Sequence, residues 1–262
     1  MKNALLIDLG GTNIRYASFI ENTLSEISKE KIADKDFISF LKKLLESEKN
    51  KIDCLVIAAA GPNNQTSINL TNRDLLIDAS ELKTKLNLKE CLLLNDWEAV
   101  AQSLSEINQK SFLPIKNGAP SNENTILIGP GTGLGVTLII NGQIIPTEFG
   151  NAYSPTKSML ENFNLKDNEE FFSLENILSG PGIEKLYEEK FERKLSSENI
   201  ISSALDGSKD GLFIVENFLK TLISMINDLV LSFSCEKVIL GGSILNTLKP
   251  ILMTKKILDY FP

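Results

Sequence analysis

The sequence of 262 residues contains no histidine. A Ser-His-Asp triad, a Cys-His pair and metal sites built from histidine are therefore excluded. Any general base must be the side chain of an Asp, Glu, Lys, Tyr or Cys residue. The absence of imidazole thus narrows the chemistry that the protein can perform.

Cysteine is scarce as well, and Cys54, Cys91 and Cys235 are isolated from one another. Without a C-x-x-C pair, we expect buried, reduced thiols and no zinc site. No stretch reaches the roughly 20 apolar residues of a membrane span. Asp8 interrupts the first apolar run far short of a signal-peptide core. These absences predict a cytoplasmic protein.

Positive charge is nowhere concentrated, because the chain has no basic arm or polybasic run and its formal net charge is −7. This balance argues against a nucleic-acid or anionic-membrane surface, so we expect neither as a partner. Hydrophobic residues make up 42% of the chain, which is long enough for one large domain or two modest ones.

Strand and helix patterns alternate along the chain, which predicts an α/β protein with a mixed sheet. Apolar residues at helical spacing in "FISFLKKLLE" predict a helix over 37–46, and Asn141-Gly142 predicts a hairpin turn. The polar stretch 116–125 is the predicted seam between two lobes. The predicted strands are "ALLID", "RYASFI", "CLVIAAAGP", "CLLLND", "TILIGP", "VTLII" and "KVILGGSI".

Two glycine-rich loops, "DLGGTN" at 8–13 and "GPGTGLG" at 129–135, each follow one apolar strand and precede another. The second loop fails the dinucleotide fingerprint, because Leu134 stands where the third glycine belongs and a strand follows instead of a helix. No P-loop pattern is present either.

Taken alone, the first glycine loop is interpreted equally well as a plain β-hairpin turn. Glycine-rich turns between antiparallel strands can also direct successive backbone N–H groups into one anion-binding nest. In that interpretation Thr12 and Thr132 add hydroxyl donors. Asp8 would then hold Mg²⁺ directly or through water.

In this order the motifs resemble those of the bacterial glucokinase family, in the actin-like ATPase group that includes the hexokinases. The resemblance runs from residue 5 to about residue 247. It implies a two-lobed actin-like ATPase (ribonuclease H-like) fold, with mixed sheets flanked by helices and a ligand cleft between the lobes. The matching segments are "DLGGTNIR" and "GPGTGLG" for phosphate, "LLLND" for catalysis, "TEFGN" and "LENILSGPGIEKLY" for sugar, "VILGGSI" for adenosine, and "NLTNRDLLID" between the first two sites.

The resemblance also implies a division of labour along the chain. A small lobe over 1–105 would carry the first phosphate loop and the catalytic aspartate, and a large lobe over 106–262 would carry the rest. The implied activity is ATP-dependent phosphorylation of a hexose, from glucose to glucose 6-phosphate, with ATP and Mg²⁺ as cofactors. The implied partner is the small-molecule hexose, and a homodimer is the candidate assembly.

Carried over residue by residue, the resemblance makes Asp96 the catalytic base and makes Glu148 and Glu175 the sugar-binding carboxylates. The amides expected to contact sugar are Asn63, Asn72, Asn95 and Asn151. The residues expected to bind the nucleotide are Asp8, Gly10, Gly11, Thr12, Asn13, Gly131, Thr132, Gly133, Gly241 and Gly242, with Asp8 as the metal ligand.

Structural interpretations compete at several of these positions. Asn95-x-x-Glu98 also fits a capping box that begins a helix. Glu175 fits an acidic residue in the first turn of a helix, where the helix dipole favours it. Glu148 lies between a strand and Gly150, where we expect no helix, and Arg15 fits a solvated strand face.

The sequence departs from the family pattern in two places. The family usually shows "E-G-G-H" in the sugar loop, whereas this chain has "EFGN", with Asn151 in place of the histidine. The family continues beyond "VILGGSILN" through another strand and a closing helix, whereas this sequence stops soon after "LMTKKILDYFP". We expect the shorter end to weaken ATP binding or loosen the hinge.

Two other functions fit the same fold class. A sugar-binding or regulatory protein would bind sugar without releasing ADP. An ATPase of the actin group would hydrolyse ATP without sugar and would leave the glutamates unexplained. A DNA-binding sugar repressor fits less well, because no helix-turn-helix precedes the first strand.

Overall fold

The computed structural model describes residues 3–10, 13–31, 36–61, 66–70, 75–153 and 156–261. The chain forms two compact units, unit 1 over Met1–Leu104 and unit 2 over Ser105–Pro262. Over the described ranges, none of the helices combines the length and the apolar content needed to cross a membrane. Cys54, Cys91 and Cys235 are free, and Cys91 alone among them is partly exposed.

Unit 1 begins with two antiparallel strands, and it ends with a helix that follows a strand directly. Its elements are β1 (Ala4–Leu9), β2 (Asn13–Ile20), β3 (Thr23–Leu24), β4 (Ser28–Lys31), α1 (Phe37–Ser47), β5 (Cys54–Ala59), β6 (Ser67–Asn69), β7 (Leu76–Asp78), α2 (Ala79–Lys85), β8 (Glu90–Asn95) and α3 (Asp96–Ser103). A 3₁₀ turn over Leu104–Glu106 follows α3.

The main sheet of unit 1 has the strand order β3-β2-β1-β5-β8, and β4 also pairs with β2. β1 is antiparallel to β2 and parallel to β5, while β5 is parallel to β8. Apolar side chains such as Leu5, Leu55 and Ile57 are almost fully buried in these strands. This packing fixes the carboxyl ends of β1, β5 and β8 along one edge of the sheet.

Unit 2 contains a second sheet followed by a largely helical stretch. Its elements are a 3₁₀ turn (Gln109–Ser111), β9 (Thr125–Pro130), β10 (Leu134–Ile140), β11 (Gln143–Pro146), a 3₁₀ turn (Phe149–Asn151), α4 (Thr156–Glu161), a 3₁₀ turn (Leu174–Asn176), α5 (Gly180–Phe191), α6 (Ser197–Leu205), α7 (Lys209–Phe233), β12 (Lys237–Leu240), α8 (Ser243–Leu252) and α9 (Lys255–Leu258).

The sheet of unit 2 has the order β11-β10-β9-β12, in which β9 pairs antiparallel with β10 and parallel with β12. The predicted hairpin turn at Asn141-Gly142 is confirmed, because it joins β10 to β11 with φ angles of 51° and 77°. Asparagine and glycine are the residues that tolerate such positive φ angles. The two mixed sheets with their helices confirm the predicted α/β class.

The core of unit 2 lies between the second sheet and the helices. Helix α7 runs for 25 residues and buries one face against it, including Phe218, Leu222 and Ile226. Every residue of β9 is buried, as expected for a central strand. The glycine loop between β9 and β10 therefore leaves from a rigid strand.

The predicted seam at 116–125 is wrong, because this stretch lies inside unit 2. Glu236 holds it by accepting hydrogen bonds from the backbone N–H of Ser121 and from its hydroxyl, the latter at 2.7 Å. Asn122 also donates to the carbonyl of Ser234 at 3.2 Å. A polar composition is typical of linkers, but here the polar groups bind the end of α7 and the residues that lead into β12.

Candidate active site

The first glycine loop leaves β1 at Gly10, whose N–H donates to the carbonyl of Asn13 at 2.9 Å. Asn13 is the first residue of β2, which pairs antiparallel with β1, as predicted. Asp8 lies on β1 opposite Arg15 on β2, and the Arg15 Nη1 is 2.6 Å from the Asp8 Oδ2. Both side chains are about half exposed, at 49% for Arg15 and 47% for Asp8.

Four residues with expected roles lie outside the described residues, namely Gly11, Thr12, Asn63 and Asn72. The Asp8–Arg15 ion pair had not been predicted. A signal for it existed in the sequence, because a hairpin between the two residues places them on facing strands.

Asn95 ends β8, and Asp96 is the first residue of α3. The predicted strand extended one residue further, and it ends earlier because the Asn95 side chain caps the helix. Its Oδ1 accepts from the backbone N–H of Trp97 at 2.9 Å and of Glu98 at 3.3 Å. The Glu98 Oε2 accepts from the Asn95 N–H at 3.1 Å, which completes the predicted capping box.

Asp96 is thereby fixed at the point where the sheet edge meets a helix N-terminus. Asp8, Ala58 and Leu94 are in register across β1, β5 and β8, and Asp96 follows two residues beyond Leu94. Unit 1 therefore brings two carboxylates, Asp8 and Asp96, to the same edge of its sheet.

The Asp96 carboxyl is partly buried, and that burial raises its pKa above the ordinary value. The backbone N–H of Trp97, which donates to Asp96 Oδ1 at 2.9 Å, acts in the opposite direction, while the negative charge of Asp8 raises the pKa further. A carboxylate with a raised pKa binds a proton more readily than an ordinary aspartate does. Such a group suits general-base chemistry.

The second glycine loop lies in unit 2 and crosses from β9 to β10. The Gly131 N–H donates to the Gly133 carbonyl at 2.8 Å, and the Gly180 N–H donates to the Gly131 carbonyl at 2.8 Å. Thr132 is exposed at the tip between the two glycines. The start of α5 at Gly180 therefore holds the loop, a role for Gly180 that the sequence motif had not indicated.

Glu148 precedes the 3₁₀ turn Phe149–Asn151, so the expectation that no helical turn follows it is wrong. The Asn151 Nδ2 donates to the Glu148 Oε2 at 3.2 Å. A Cβ built on Gly150 would lie 2.3 Å from the Leu134 carbonyl oxygen. The turn therefore lies directly against the end of the second glycine loop, and only glycine permits so close an approach.

Glu175 lies in the 3₁₀ turn Leu174–Asn176, in the first turn as the structural interpretation proposed. The Asn176 Oδ1 accepts from the N–H and the hydroxyl of Ser173 at 3.1 and 2.9 Å. An antiparallel bridge between Tyr153 and Ser173 joins this turn to the one that carries Glu148. A Cβ on Gly133 would lie 2.8 Å from the Glu175 Oε2.

The Gly241-Gly242 turn also adjoins the strand that leads into the second loop. The Gly241 N–H donates to the Ile128 carbonyl at 2.9 Å. Gly242 has a φ of 96°, and a Cβ there would lie 2.9 Å from the Pro130 carbonyl oxygen. Unit 2 therefore gathers the second glycine loop, the turns that carry Glu148 and Glu175, and this paired-glycine turn around the ends of β9 and β10.

Across the described ranges, no group of three or more Asp, Glu, Cys or His side chains is placed to hold a metal ion. A single carboxylate with open coordination is still a suitable partner for Mg²⁺, which commonly binds one or two carboxylates together with substrate phosphates. The half-exposed Asp8 has that character.

Comparison with known proteins shows extensive similarity. A family model described as Glucokinase matches residues 5–262. A glucokinase from Colwellia psychrerythraea (strain 34H / ATCC BAA-681) is 30% identical over 233 residues, which cover 78% of this chain and 69% of that protein.

Solved structures are similar in fold. A glucokinase from an Antarctic psychrotroph matches with a TM-score of 0.81 at 24% identity, covering 100% of this chain and 89% of that one. A glucokinase from Balamuthia mandrillaris in complex with glucose matches with a TM-score of 0.75 at 20% identity, covering 99% and 85%. These likenesses confirm the predicted actin-like ATPase fold.

Proposed function

The chain belongs to the glucokinase family and is a sugar kinase; from that premise we propose that it transfers the γ-phosphoryl group of ATP to glucose, giving glucose 6-phosphate. The observation that carries the proposal is Asp96, fixed at the first position of α3 with a raised pKa. A group that accepts a proton from a sugar hydroxyl must be held firmly and must have an affinity for that proton.

Asp96 acts as the general base in the proposed reaction. The sugar hydroxyl loses its proton to the Asp96 carboxylate, and its oxygen forms the new bond to the γ-phosphorus. The bond from that phosphorus to the bridging oxygen breaks, and ADP leaves. A positioned base of this kind contributes about 10²–10⁴ in rate.

Glu148, Glu175 and Asn151 bind the hexose in this proposal. A carboxylate can accept hydrogen bonds from two neighbouring hydroxyl groups, which sugars present in pairs. Asn151 donates to Glu148 and so orients its carboxylate. A site built on such bonds rejects analogues that lack a hydroxyl by about 10⁴ or more. Asn95, whose side chain caps α3, is the further candidate sugar contact beside the base.

In this proposal the two glycine loops supply backbone N–H groups to the phosphates, and the Gly241-Gly242 turn contacts the adenosine. Asp8 is the residue that would hold Mg²⁺, which neutralises phosphate charge when it is bound. Arg15 pairs with Asp8 and balances its charge.

The test is ADP release by the purified chain with Mg²⁺-ATP, measured with glucose, mannose, fructose, N-acetylglucosamine and no sugar. We expect glucose-dependent release that falls by about 10²-fold or more in Asp96→Asn. The exposed Asp167 provides a matched control, since Asp167→Asn removes one carboxylate without touching the proposed site.

Asparagine at position 96 keeps an oxygen that can accept from the Trp97 N–H, so we expect the variant to fold. Because the folded-state pKa of Asp96 is raised, ionisation of Asp96 destabilises the folded protein. This loss of stability develops as the pH rises through that pKa. Asp96→Asn should therefore unfold at no lower a denaturant concentration than the parent at neutral pH. Sugar binding without ADP release from the folded parent chain would favour the sugar-binding alternative instead.

A further inference from the structure

The contact between Gly133 and Glu175 joins two parts of unit 2 that the proposed function assigns to different substrates. Gly133 belongs to the glycine loop proposed to bind phosphate, and Glu175 is a carboxylate proposed to bind the hexose. A Cβ on Gly133 would lie 2.8 Å from the Glu175 Oε2 and 3.8 Å from its carboxyl carbon. Apart from the neighbouring residues of the chain, those two atoms of Glu175 are the described atoms within 4 Å of that position.

Both sides of this contact are fixed in the fold. The loop is held by the bonds from Gly131 to Gly133 and from Gly180 to Gly131, each 2.8 Å long. The backbone at Glu175 is held by the neighbouring Leu174, which is 2% exposed, and by Ile177, which is fully buried. Neither segment can move away from the other without disturbing the core.

The Glu175 carboxylate is therefore the part that moves if a side chain is introduced at position 133. It is the far end of a flexible side chain, and rotation of that side chain costs far less than a shift of packed backbone. Gly133 is also absent from the glycines with positive φ, so alanine fits the backbone there. A methyl group at position 133 should displace the carboxylate and leave the fold intact.

We propose that Gly133 is a positioning residue for the hexose, because the absence of a side chain there leaves the space that the Glu175 carboxylate occupies. Glu175 in turn couples the binding of the hexose to the binding of the nucleotide. The inference rests on the proposed function. Through this one pair of residues, the affinity for hexose and the affinity for nucleotide depend on each other.

The coupling follows from charge. With no hexose bound, an ionised carboxylate lies against the loop and disfavours phosphate, since like charges repel. Hexose hydroxyl groups that donate to Glu175 offset part of that negative field, and phosphate then binds the loop more readily. Linkage requires the reverse effect as well, so bound nucleotide must alter hexose affinity by the same factor.

The first experiment compares Gly133→Ala with Gly118→Ala by calorimetric titration of glucose in the absence of nucleotide. Apart from its neighbours in the chain, a Cβ on Gly118 has no described atom within 4 Å, so both variants add the same methyl group to unit 2 and only Gly133→Ala adds it beside Glu175. We expect Gly133→Ala to weaken glucose binding about ten-fold or more, because charge-assisted hydrogen bonds are lost. Gly118→Ala should change it by about two-fold or less.

The second experiment measures the affinity for ATP without sugar in the parent and in Glu175→Gln. Glutamine keeps the shape of the side chain and removes its charge. We expect Glu175→Gln to bind ATP about five-fold more tightly, and the effect of added glucose on ATP affinity to shrink accordingly.

The outcomes separate this inference from the proposed function. If the parent phosphorylates glucose while Gly133→Ala and Gly118→Ala bind glucose equally well, the positioning role is wrong and the kinase remains. If ATP binding is unchanged or weaker in Glu175→Gln, the coupling is wrong. If the parent phosphorylates no hexose, the proposed function fails, and the inference fails with it.

Discussion

Asn95 and Asp96 show how two adjacent side chains can serve structure and chemistry together. Asn95 is 4% exposed, and its Oδ1 satisfies two N–H groups at the start of α3. Asp96, one residue further, has its carboxylate oriented by the N–H of Trp97. The capping and catalytic interpretations of this segment are therefore compatible, because the cap holds the proposed base in place.

Because the pKa of Asp96 is raised, kcat/KM should begin to fall on acidification at a higher pH than it would with an ordinary aspartate as the base. The base must be ionised to accept a proton, so activity falls as the pH drops through the raised pKa. The measurement is initial rate against pH with glucose well below KM and the coupling enzymes in excess. A profile that stays flat down to the ordinary pKa of aspartate would show that another group is the base.

Gly150 is a glycine at which a side chain should be poorly tolerated. A Cβ there would lie 2.3 Å from the backbone oxygen of Leu134, and backbone cannot rotate away as the end of a side chain can. We expect Gly150→Ala to lower the free energy of unfolding by about 1–3 kcal/mol, as overpacking commonly does. Denaturant unfolding measures this change.

Gly118 supplies the matched control for that substitution. Apart from the neighbouring residues of the chain, no described atom lies within 4 Å of a Cβ at this position, and Gly118 is absent from the glycines with positive φ. Gly118→Ala should therefore change the free energy of unfolding by about 0.5 kcal/mol or less. Equal stability of the two alanine variants would contradict the close approach of Gly150 to Leu134.

At the scale of elements, the capping box of α3 gives a separate prediction. Glu98→Ala removes the acceptor of the Asn95 N–H bond at 3.1 Å and leaves Asn95 itself in place. We expect a loss of about 0.5–2 kcal/mol in the free energy of unfolding, the usual range for a lost cap. The activity should fall as well, because the start of α3 positions Asp96.

Glu98→Gln is the control, since glutamine also completes a capping box. It should retain most of the stability and activity in the same denaturant and ADP-release measurements. If Gln and Ala are equally damaging, the charge of Glu98 matters more than its hydrogen bond.

Strands, long helices and the glycine turns were predictable because their signals are local. β1, β5 and β9 are apolar runs that end at glycine or proline, and α1 shows helical spacing. The turns that carry Glu148 and Glu175 were harder to predict from the sequence, since each 3₁₀ turn covers only three residues. The prediction of a seam at 116–125 was wrong because a polar composition does not reveal that Glu236 binds this stretch.

The residues of the candidate site could be predicted from sequence motifs, but the contacts between them could be predicted only in part. The capping box at Asn95 follows from spacing alone, whereas the contact between Gly133 and Glu175 joins segments far apart in the chain. No periodicity encodes such a contact. The roles of Asp96, Glu148 and Glu175 came from the resemblance and remain predictions until the variants are measured.

At the scale of the whole molecule, unit 2 depends on the segment around α9. Ile257 is fully buried there, Lys256 pairs with Glu216 of α7 at 2.6 Å, and Lys116 donates to the Phe261 carbonyl at 3.0 Å. The segment therefore packs against α7 and against a residue more than a hundred positions earlier. It forms part of the core of unit 2.

Ile257→Ala should lower the free energy of unfolding by about 2–5 kcal/mol, the usual cost of truncating a buried isoleucine. The neighbouring Lys255 is exposed, so Lys255→Ala should change it by about 0.5 kcal/mol or less. Urea unfolding followed by circular dichroism compares the two variants. If they are equally stable, α9 does not pack on unit 2 as described.

The pairing of β9 with β12 has a consequence for the order in which the newly made chain can fold. Every strand of the main sheet of unit 1 has been synthesised once Asn95 has been added. β9, in contrast, must wait for a parallel partner whose residues Lys237–Leu240 come after α4 to α7. Such distant pairing slows folding, because the intervening chain must be ordered first. On the ribosome, the central strand of unit 2 therefore keeps an open edge until Lys237–Leu240 have been synthesised.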